Sequence, residues 1–300
     1  AAGKPVVAVS LPELVPLADL NHIALAETAE AFATAIEQEV ANDSLARLES
    51  RRAFAFVNTW EVRYRELEGE VRKLFPLVSI LVVTFNNRDL NQLCLESLLG
   101  DTDYPNIEVI VVDNASSDGT PALLRDFAAR DPRLTLILNQ DNKGFAAANN
   151  QALAIASGEF LCLLNNDTVV SGAWLSTLVR HLRRDLRLGL IGPVTNAIGN
   201  EARIPVGYEQ LIDMPAWAAE HCRQYRGEIV EIGMLAFFCV VMSRRVFQAV
   251  GPLDERFGIG MFEDDDYNQR VRAAGFQVML ARDSFVHHWQ RASFKLLGEE

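Results

Sequence analysis

Four acids in succession, Glu263, Asp264, Asp265 and Asp266, open the stretch MFEDDDYNQRVRAAG. Crowded like charges raise the proton affinity of at least one member, which suits a general base working near neutral pH. Arg270 lies one helical turn beyond Asp266, placed to fix it as an i,i+4 partner. The plainer reading is a charge-capped helix, because the macrodipole favours acids at its start. Gly258, Gly260 and the apolar pair Met261-Phe262 just upstream count against that plainer reading. A second group, Asn165, Asn166 and Asp167, closes the apolar run FLCLLNND. Such groups are costly to bury unless hydrogen bonds or a cation satisfy them. One carboxylate flanked by amide oxygens makes a weak site for Mg2+ or Mn2+ that a substrate's phosphates would complete. The two asparagines suit ribose or sugar hydroxyls; an ordinary turn is the alternative.

Three further positions carry chemistry. Asp113 ends an apolar run and precedes the turn Ser116 to Gly119. A strand-end carboxylate there can accept from a base edge or from ribose hydroxyls, or it can simply form an Asx turn or a helix cap. In NQDNKGFAAANNQAL, Gly144 marks the entry to a helix whose free N–H groups could face a diphosphate, with Asn142 and Asn149 on either side. Ordinary turn punctuation is the rival reading. Finally, His287 and His288 precede Trp289, Arg291 and Ser293, a set able to supply a metal ligand and a sugar-stacking face.

The elements that must position these groups are legible from period. LVSILVVTF, NIEVIVVDN, RLTLILN and EFLCLLNND are continuous β-rich runs, separated by NQLCLESLL, TPALLRDFAAR and GFAAANNQALAIAS, which have helical period. Alternating strands and helices imply an α/β fold, with a mostly parallel sheet and right-handed crossovers. Ligands of such sheets bind beyond the carboxyl ends of the strands. Those ends deliver Thr84, Phe85 and Asn86, then Asp113, then Asn142 and Gly144, then Asn165 to Asp167, all to one rim. Beyond Val170 the alternation loosens: GAWLSTLVRHLRR reads as a helix, LGLIGPVTNAIGN as a strand into a loop, GMLAFFCVVMSRRVFQAVG as a strand followed by a short helix, FEDDDYNQRVRAAG as a helix and FQVMLA as a strand. Residues 200–230 are mixed, and DSFVHHWQRASF reads as irregular. Upstream, residues 1–21 read as an irregular arm, and His22 to about Leu74 as one long amphipathic helix.

Composition sets the bounds. At 300 residues and 49% hydrophobic content, the chain has ample material for a core. Its formal charge of -12 argues against unguided attraction to nucleic acid or anionic lipid, so any phosphate ligand needs a dedicated site. Four scattered cysteines lack zinc spacing and suit a reducing compartment. No run approaches the roughly 20 apolar residues of a membrane span, so the chain reads as cytoplasmic.

From about Pro76 to Phe294 the sequence resembles the inverting family 2 glycosyltransferases of GT-A fold, nearest to the bacterial branch that builds rhamnose-type, O-antigen or other surface polysaccharides. The likeness rests on VVTFNN, VVDNASSDGT, NKGFAAANN, LLNNDTVV, GPLDERFG, FEDDDYNQRVRAAG and VHHWQRASF occurring in that order. Residues 1–75, an irregular arm and helical extension, precede this stretch, and the resemblance implies a nucleotide-sugar-binding half over 76–170 and an acceptor and catalytic half over 171–300. Thr84, Phe85 and Asn86 would wall the base and Asp113 would bind it, with the Asn142 to Asn149 segment near the diphosphate. Asp167 matches the last acid of the family's DxD metal motif, and His288 a histidine that joins the metal shell. Glu263 and Asp264 match a Glu-Asp pair whose second member is the base, with Asp265, Asp266, Arg270 and Trp289 in support. Asn165 stands where that motif has its first acid, which implies weaker affinity for Mg2+ or Mn2+. The implied donor is a dTDP- or UDP-linked sugar and the implied acceptor a glycan or lipid-linked glycan. The N-terminal helices would serve an oligomer contact or peripheral association with the inner face of the membrane. A nucleotidyltransferase would want a glycine-rich basic loop after the first strand, which VVTFNNRDLNQ lacks. A noncatalytic carbohydrate-binding subunit of the same fold is the rival from another class.

Overall fold

The computed structural model describes residues 3–289, in two compact units, 1–72 and 73 onward. In the first unit, strand β1 (Val7–Val9) pairs in parallel with β2 (Ala24–Ala26), and helix α1 (Val15–Asp19) crosses between them. The expected irregular arm therefore holds a strand and a helix. The expected single long helix is divided into α2 (Ala29–Ala41), α3 (Leu45–Val57) and α4 (Trp60–Lys73). The breaks have a local cause. The hydroxyls of Thr28, Ser44 and Thr59 accept from the N–H groups of Ala31, Arg47 and Val62, so each satisfies a donor that an unbroken helix would have used. Arg51 is buried, donating to the Gly3 carbonyl at 2.9 Å and pairing with Asp43 at 2.5 Å.

The second unit is a nine-stranded sheet between two layers of helices. In chain order it contains β3 (Val78–Thr84), α5 (Arg88–Asp101), β4 (Ile107–Asp113), α6 (Thr120–Arg130), β5 (Leu134–Leu138), α7 (Phe145–Ile155), β6 (Phe160–Asn165) and β7 (Thr168–Val170). It continues with α8 (Trp174–Arg184), β8 (Leu188–Val194), α9 (Met214–Gln224), β9 (Ile229–Glu231), β10 (Cys239–Ser243), α10 (Arg244–Val250), α11 (Glu263–Ala273) and β11 (Gln277–His288). The order is β5-β4-β3-β6-β10-β8-β11-β7, with β9 on β11. β5, β4, β3 and β6 are mutually parallel, and β10 enters antiparallel between β6 and β8. The continuous apolar runs follow from burial on both faces. Ile80 and Val82 pack with α5, α6 and α8, whereas Leu81 packs with α7, α10 and α11.

The mixed region 200–230 contains α9 and β9. The stretch DSFVHH, expected to be irregular, is the second half of β11. A register shift between Ala281 and Phe285 lets the strand leave β8 and continue antiparallel to β7. Asp283 sits in that shift, held by His181, Arg180 and the Gly227 N–H. Arg291 and Ser293 lie outside the described residues. Among the described residues, no helix is long and apolar enough to cross a membrane.

Candidate active site

The carboxyl ends of β3, β4 and β6 form the rim. At the end of β3 the Thr84 hydroxyl donates to Asp113 Oδ1 at 3.0 Å. Asp113 also accepts from the Ser116 hydroxyl at 2.5 Å and the Ser116 N–H at 3.0 Å, and both Thr84 and Asp113 are buried. Asn86 takes a left-handed conformation, φ 54°, which asparagine tolerates better than most residues. Its N–H donates to Ser116 Oγ, its Oδ1 accepts from the Ser117 N–H, and its carbonyl accepts from Asn91. The two strand-end turns are thus interlocked, and Phe85, between Thr84 and Asn86, is half-buried.

Gly144 begins α7 at φ 82° and ψ 174°, a region open essentially to glycine alone. A Cβ there would fall 2.0 Å from the Gly258 carbonyl oxygen, so the turn is pressed against the loop that leads into α11. The Phe145 N–H donates to the Ile259 carbonyl at 3.0 Å, which removes one of the helix-start donors expected to face a phosphate. Asn142 Oδ1 accepts the Gly144 N–H, and Asn149 is buried with its amide on the Phe145 carbonyl.

After β6, Asn165 donates its N–H to the Phe238 carbonyl and is half-buried. Asn166 is buried and turns its amide onto Asn91 Oδ1 at 2.7 Å. Asp167 is 5% exposed, and its Oδ1 has no hydrogen-bond partner among the described residues. The nearest group is His288 Nε2, 3.2 Å away. His288 Nδ1 lies 2.9 Å from the Ala197 carbonyl, which can only accept, so Nδ1 carries the proton. In the tautomer with its single proton on Nδ1, His288 would turn the lone pair of Nε2 toward a carboxylate oxygen. Two facing acceptors call for a cation between or beside them, and imidazole with carboxylate suits a divalent metal. Among the described residues no group of three or more such ligands exists, so the remaining positions of a shell would fall to substrate or water. The β11·β7 register, His288 opposite Thr168, sets this pair; Asn196 clamps His288 from both sides, accepting its N–H at 2.8 Å and donating to its carbonyl at 3.1 Å. Trp289 is 47% exposed and donates its N–H to the Asp167 carbonyl.

The acids come from the first turn of α11, entered through left-handed Met261 and Phe262. Burial raises the pKa of Glu263, which is 8% exposed and whose Oε2 has no hydrogen-bond partner among the described residues. Burial likewise raises that of Asp264, with repulsion from Asp265 adding to it, against hydrogen bonds from the N–H groups of Asp265 and Phe237. Asp266 accepts from Arg270 Nε at 2.7 Å, and Arg270 also donates to the Val250 and Pro252 carbonyls. Asn268 binds the Asp264 carbonyl and both backbone groups of Leu235. The 235–238 segment is therefore the bridge: Asn268 ties Leu235 to the Asp264 carbonyl, and the Phe238 ring stacks on His288 at 5.0 Å. Period and composition gave no sign of Asn91, Asn196, Phe238 or Asn268, whose partners are distant in sequence.

Glycosyl transferase family 2 matches residues 79–251, a span that includes β3 to β6 and their rim. The chain belongs to this family. Over 231 residues it is 33% identical to the O-antigen biosynthesis protein RfbC of Myxococcus xanthus, covering 71% of this chain and 17% of that protein. Over 234 residues it is 30% identical to protein y4gI of Sinorhizobium fredii, covering 73% of this chain and 25% of that one. The chain thus spans a quarter or less of the length of these two relatives. A mannosyltransferase from Pyrobaculum calidifontis, solved with GDP-Man and Mn2+, superposes with a TM-score of 0.56 at 22% identity, covering 74% of this chain and 60% of that one. The fold of this family 2 member is GT-A.

Proposed function

We propose that the chain transfers a sugar, with inversion, from a nucleotide-diphospho-sugar to a hydroxyl of a glycan or lipid-linked glycan. The observation that carries the reading is the bridge at 235–238, which connects the start of α11, through Asn268 on Leu235 and the Asp264 carbonyl, to the Asp167–His288 pair through the Phe238 ring. Asp264, its proton affinity raised by burial, takes the acceptor hydroxyl's proton. The freed oxygen bonds to the anomeric carbon as the bond to the diphosphate breaks, and the electron pair leaves with the nucleoside diphosphate. Asp167 and His288 would hold a divalent cation, Mg2+ or Mn2+, whose charge offsets that of the departing diphosphate. Asp113, with Thr84, Phe85 and Asn86, would receive the base, and Asn142, Gly144, Asn149 and Asn165 would line the donor. With one amide N–H on Asn91, Asn166 keeps its oxygen and its second N–H for a donor hydroxyl. Trp289, exposed beside Asp167, would offer a face to the acceptor, while Glu263, Asp265, Asp266 and Arg270 keep the base in place. The likeness to an O-antigen biosynthesis protein supports a role in bacterial surface polysaccharide synthesis; a rhamnosyl donor and a place on the cytoplasmic side of the cell membrane are part of the proposal.

The test is transfer from a panel of dTDP-, UDP- and GDP-linked sugars with Mg2+ or Mn2+, with the product's anomeric configuration read by NMR. An inverted product supports the reading; a retained one removes the single-displacement mechanism. Donor binding with neither transfer nor hydrolysis would favour a noncatalytic subunit.

A further inference from the structure

On the opposite rim, a cleft of about 490 Å³ is lined by Phe75, Tyr104, Ser176, Arg180, Arg183 and Arg184. Phe75 and Tyr104 precede β3 and β4, and the Tyr104 hydroxyl donates to the Pro76 carbonyl at 2.7 Å. The cleft therefore lies at the N-terminal ends of strands whose C-terminal ends carry Thr84 and Asp113. The seven residues of β3 separate the two rims by roughly 20 Å.

In a chain with 28 lysines and arginines and 40 acidic residues, three guanidinium groups meet here from the C-terminal part of α8, those of Arg183 and Arg184 from its last turn. The acids facing them are few. Asp283 is buried and pairs with Arg180 at 3.0 Å, but it also serves His181 and the Gly227 N–H. Asp103 takes the Ser176 hydroxyl at 3.1 Å, and Glu159 lies near Tyr104. Arg183 and Arg184 are exposed, and neither forms a hydrogen bond or ion pair with any described residue. Basic residues at a helix C-terminus complement the macrodipole. That accounts for a positive end, but not for like charges at the i,i+4 positions 180 and 184, which oppose each other, nor for a cleft with an aromatic floor (Phe75 edge-on to Tyr104 at 5.5 Å). Guanidinium forks match phosphate oxygens in pairs. Three forks offer more donors than one carboxylate can accept, whereas a tetrahedral phosphate has oxygens for all of them.

We propose that this cleft binds a phosphate group, carried by a soluble phosphomonoester or by the head group of an anionic lipid. The proposal does not depend on the sugar-transfer reading. Its test uses the full chain with two probes: calorimetric titration with glycerol 3-phosphate, and co-sedimentation with phosphatidylcholine vesicles with and without phosphatidic acid. At least one probe should bind, and R183A/R184A should weaken it at least about tenfold, while Asp167→Asn on the other rim leaves it unchanged. Binding of the soluble probe identifies a free phosphate; binding of phosphatidic acid vesicles alone identifies a lipid head group. Both arginines are exposed, so the double variant should melt with the wild type, and R183Q/R184Q provides a second check. Failure of both probes, equal binding by the double variant, or equal binding of glucuronate would overturn the proposal.

Discussion

Replacing Gly144 with alanine tests whether the turn before α7 holds the entry to α11. The new Cβ would lie 2.0 Å from the Gly258 carbonyl oxygen, 2.8 Å from its carbon and 3.0 Å from the Ile259 Cα, all backbone atoms that cannot rotate away. The backbone at φ 82° and ψ 174° costs an alanine about 1–3 kcal/mol. Displacing the 258–259 loop also breaks the Phe145 N–H to Ile259 carbonyl bond, worth about 0.5–1.5 kcal/mol. The sum, about 2–4 kcal/mol, lowers the melting temperature by roughly 5–15 °C at about 2–4 °C per kcal/mol. Because the same loop delivers Asp264, turnover should fall by about 100-fold, the effect of misplacing a catalytic group by about 1 Å. Calorimetry and a transfer assay read the two effects. Gly172→Ala, where a Cβ meets only open space, is the control and should change neither. A Gly144→Ala protein with wild-type melting and turnover would refute the coupling between the turn and the acidic helix.

Other perturbations have distinct outcomes. His288→Ala removes one of the two proposed cation ligands, so affinity for a nucleoside diphosphate with Mn2+ should fall at least about tenfold, as read by thermal shift. Asp283→Asn leaves Arg180 and His181 without their buried partner and should cost about 3 kcal/mol in denaturant unfolding. Burial raises the Asp283 pKa, but bonds from His181, the Gly227 N–H and Arg180 outweigh it and hold it below the ordinary value. Its stabilisation is therefore present above the unfolded carboxylate pKa and lost as pH falls through the folded one, an acid dependence the variant should lack. Because burial raises the Asp264 pKa, the acid limb of turnover should lie above the ordinary carboxylate value of 3.8. Gly69→Ala, in open space within α4, should stabilise the first unit by about 0.5–1 kcal/mol in thermal unfolding.

The central strands were legible because burial on both faces leaves continuous apolar runs, and the observed spans of β3, β4, β5 and β6 lie within the runs that mark them. The Asp266–Arg270 pair was legible because i,i+4 spacing is local. What failed to show was non-local or masked by composition. The region 22–74 is rich in helix formers throughout, so propensity alone joined three helices that Ser44 and Thr59 divide. The tail DSFVHH looked irregular because a register shift interrupts its alternation, yet that shift carries His288 to Asp167. Asn166 showed the same polar character as its neighbours, and only the fold shows that its amide is spent on Asn91.

The central claim, that one rim separates a proton acceptor from a cation holder, is tested most directly by comparing Asp264→Asn with Asp167→Asn. Donor affinity in Mn2+ is measured by calorimetry and turnover with saturating acceptor. Asp264→Asn should bind donor within about threefold of wild type and lose about 100-fold or more in turnover, while Asp167→Asn should lose about tenfold or more in Mn2+-dependent donor affinity. Near wild-type turnover in Asp264→Asn, or unchanged Mn2+-dependent binding in Asp167→Asn, would contradict the account.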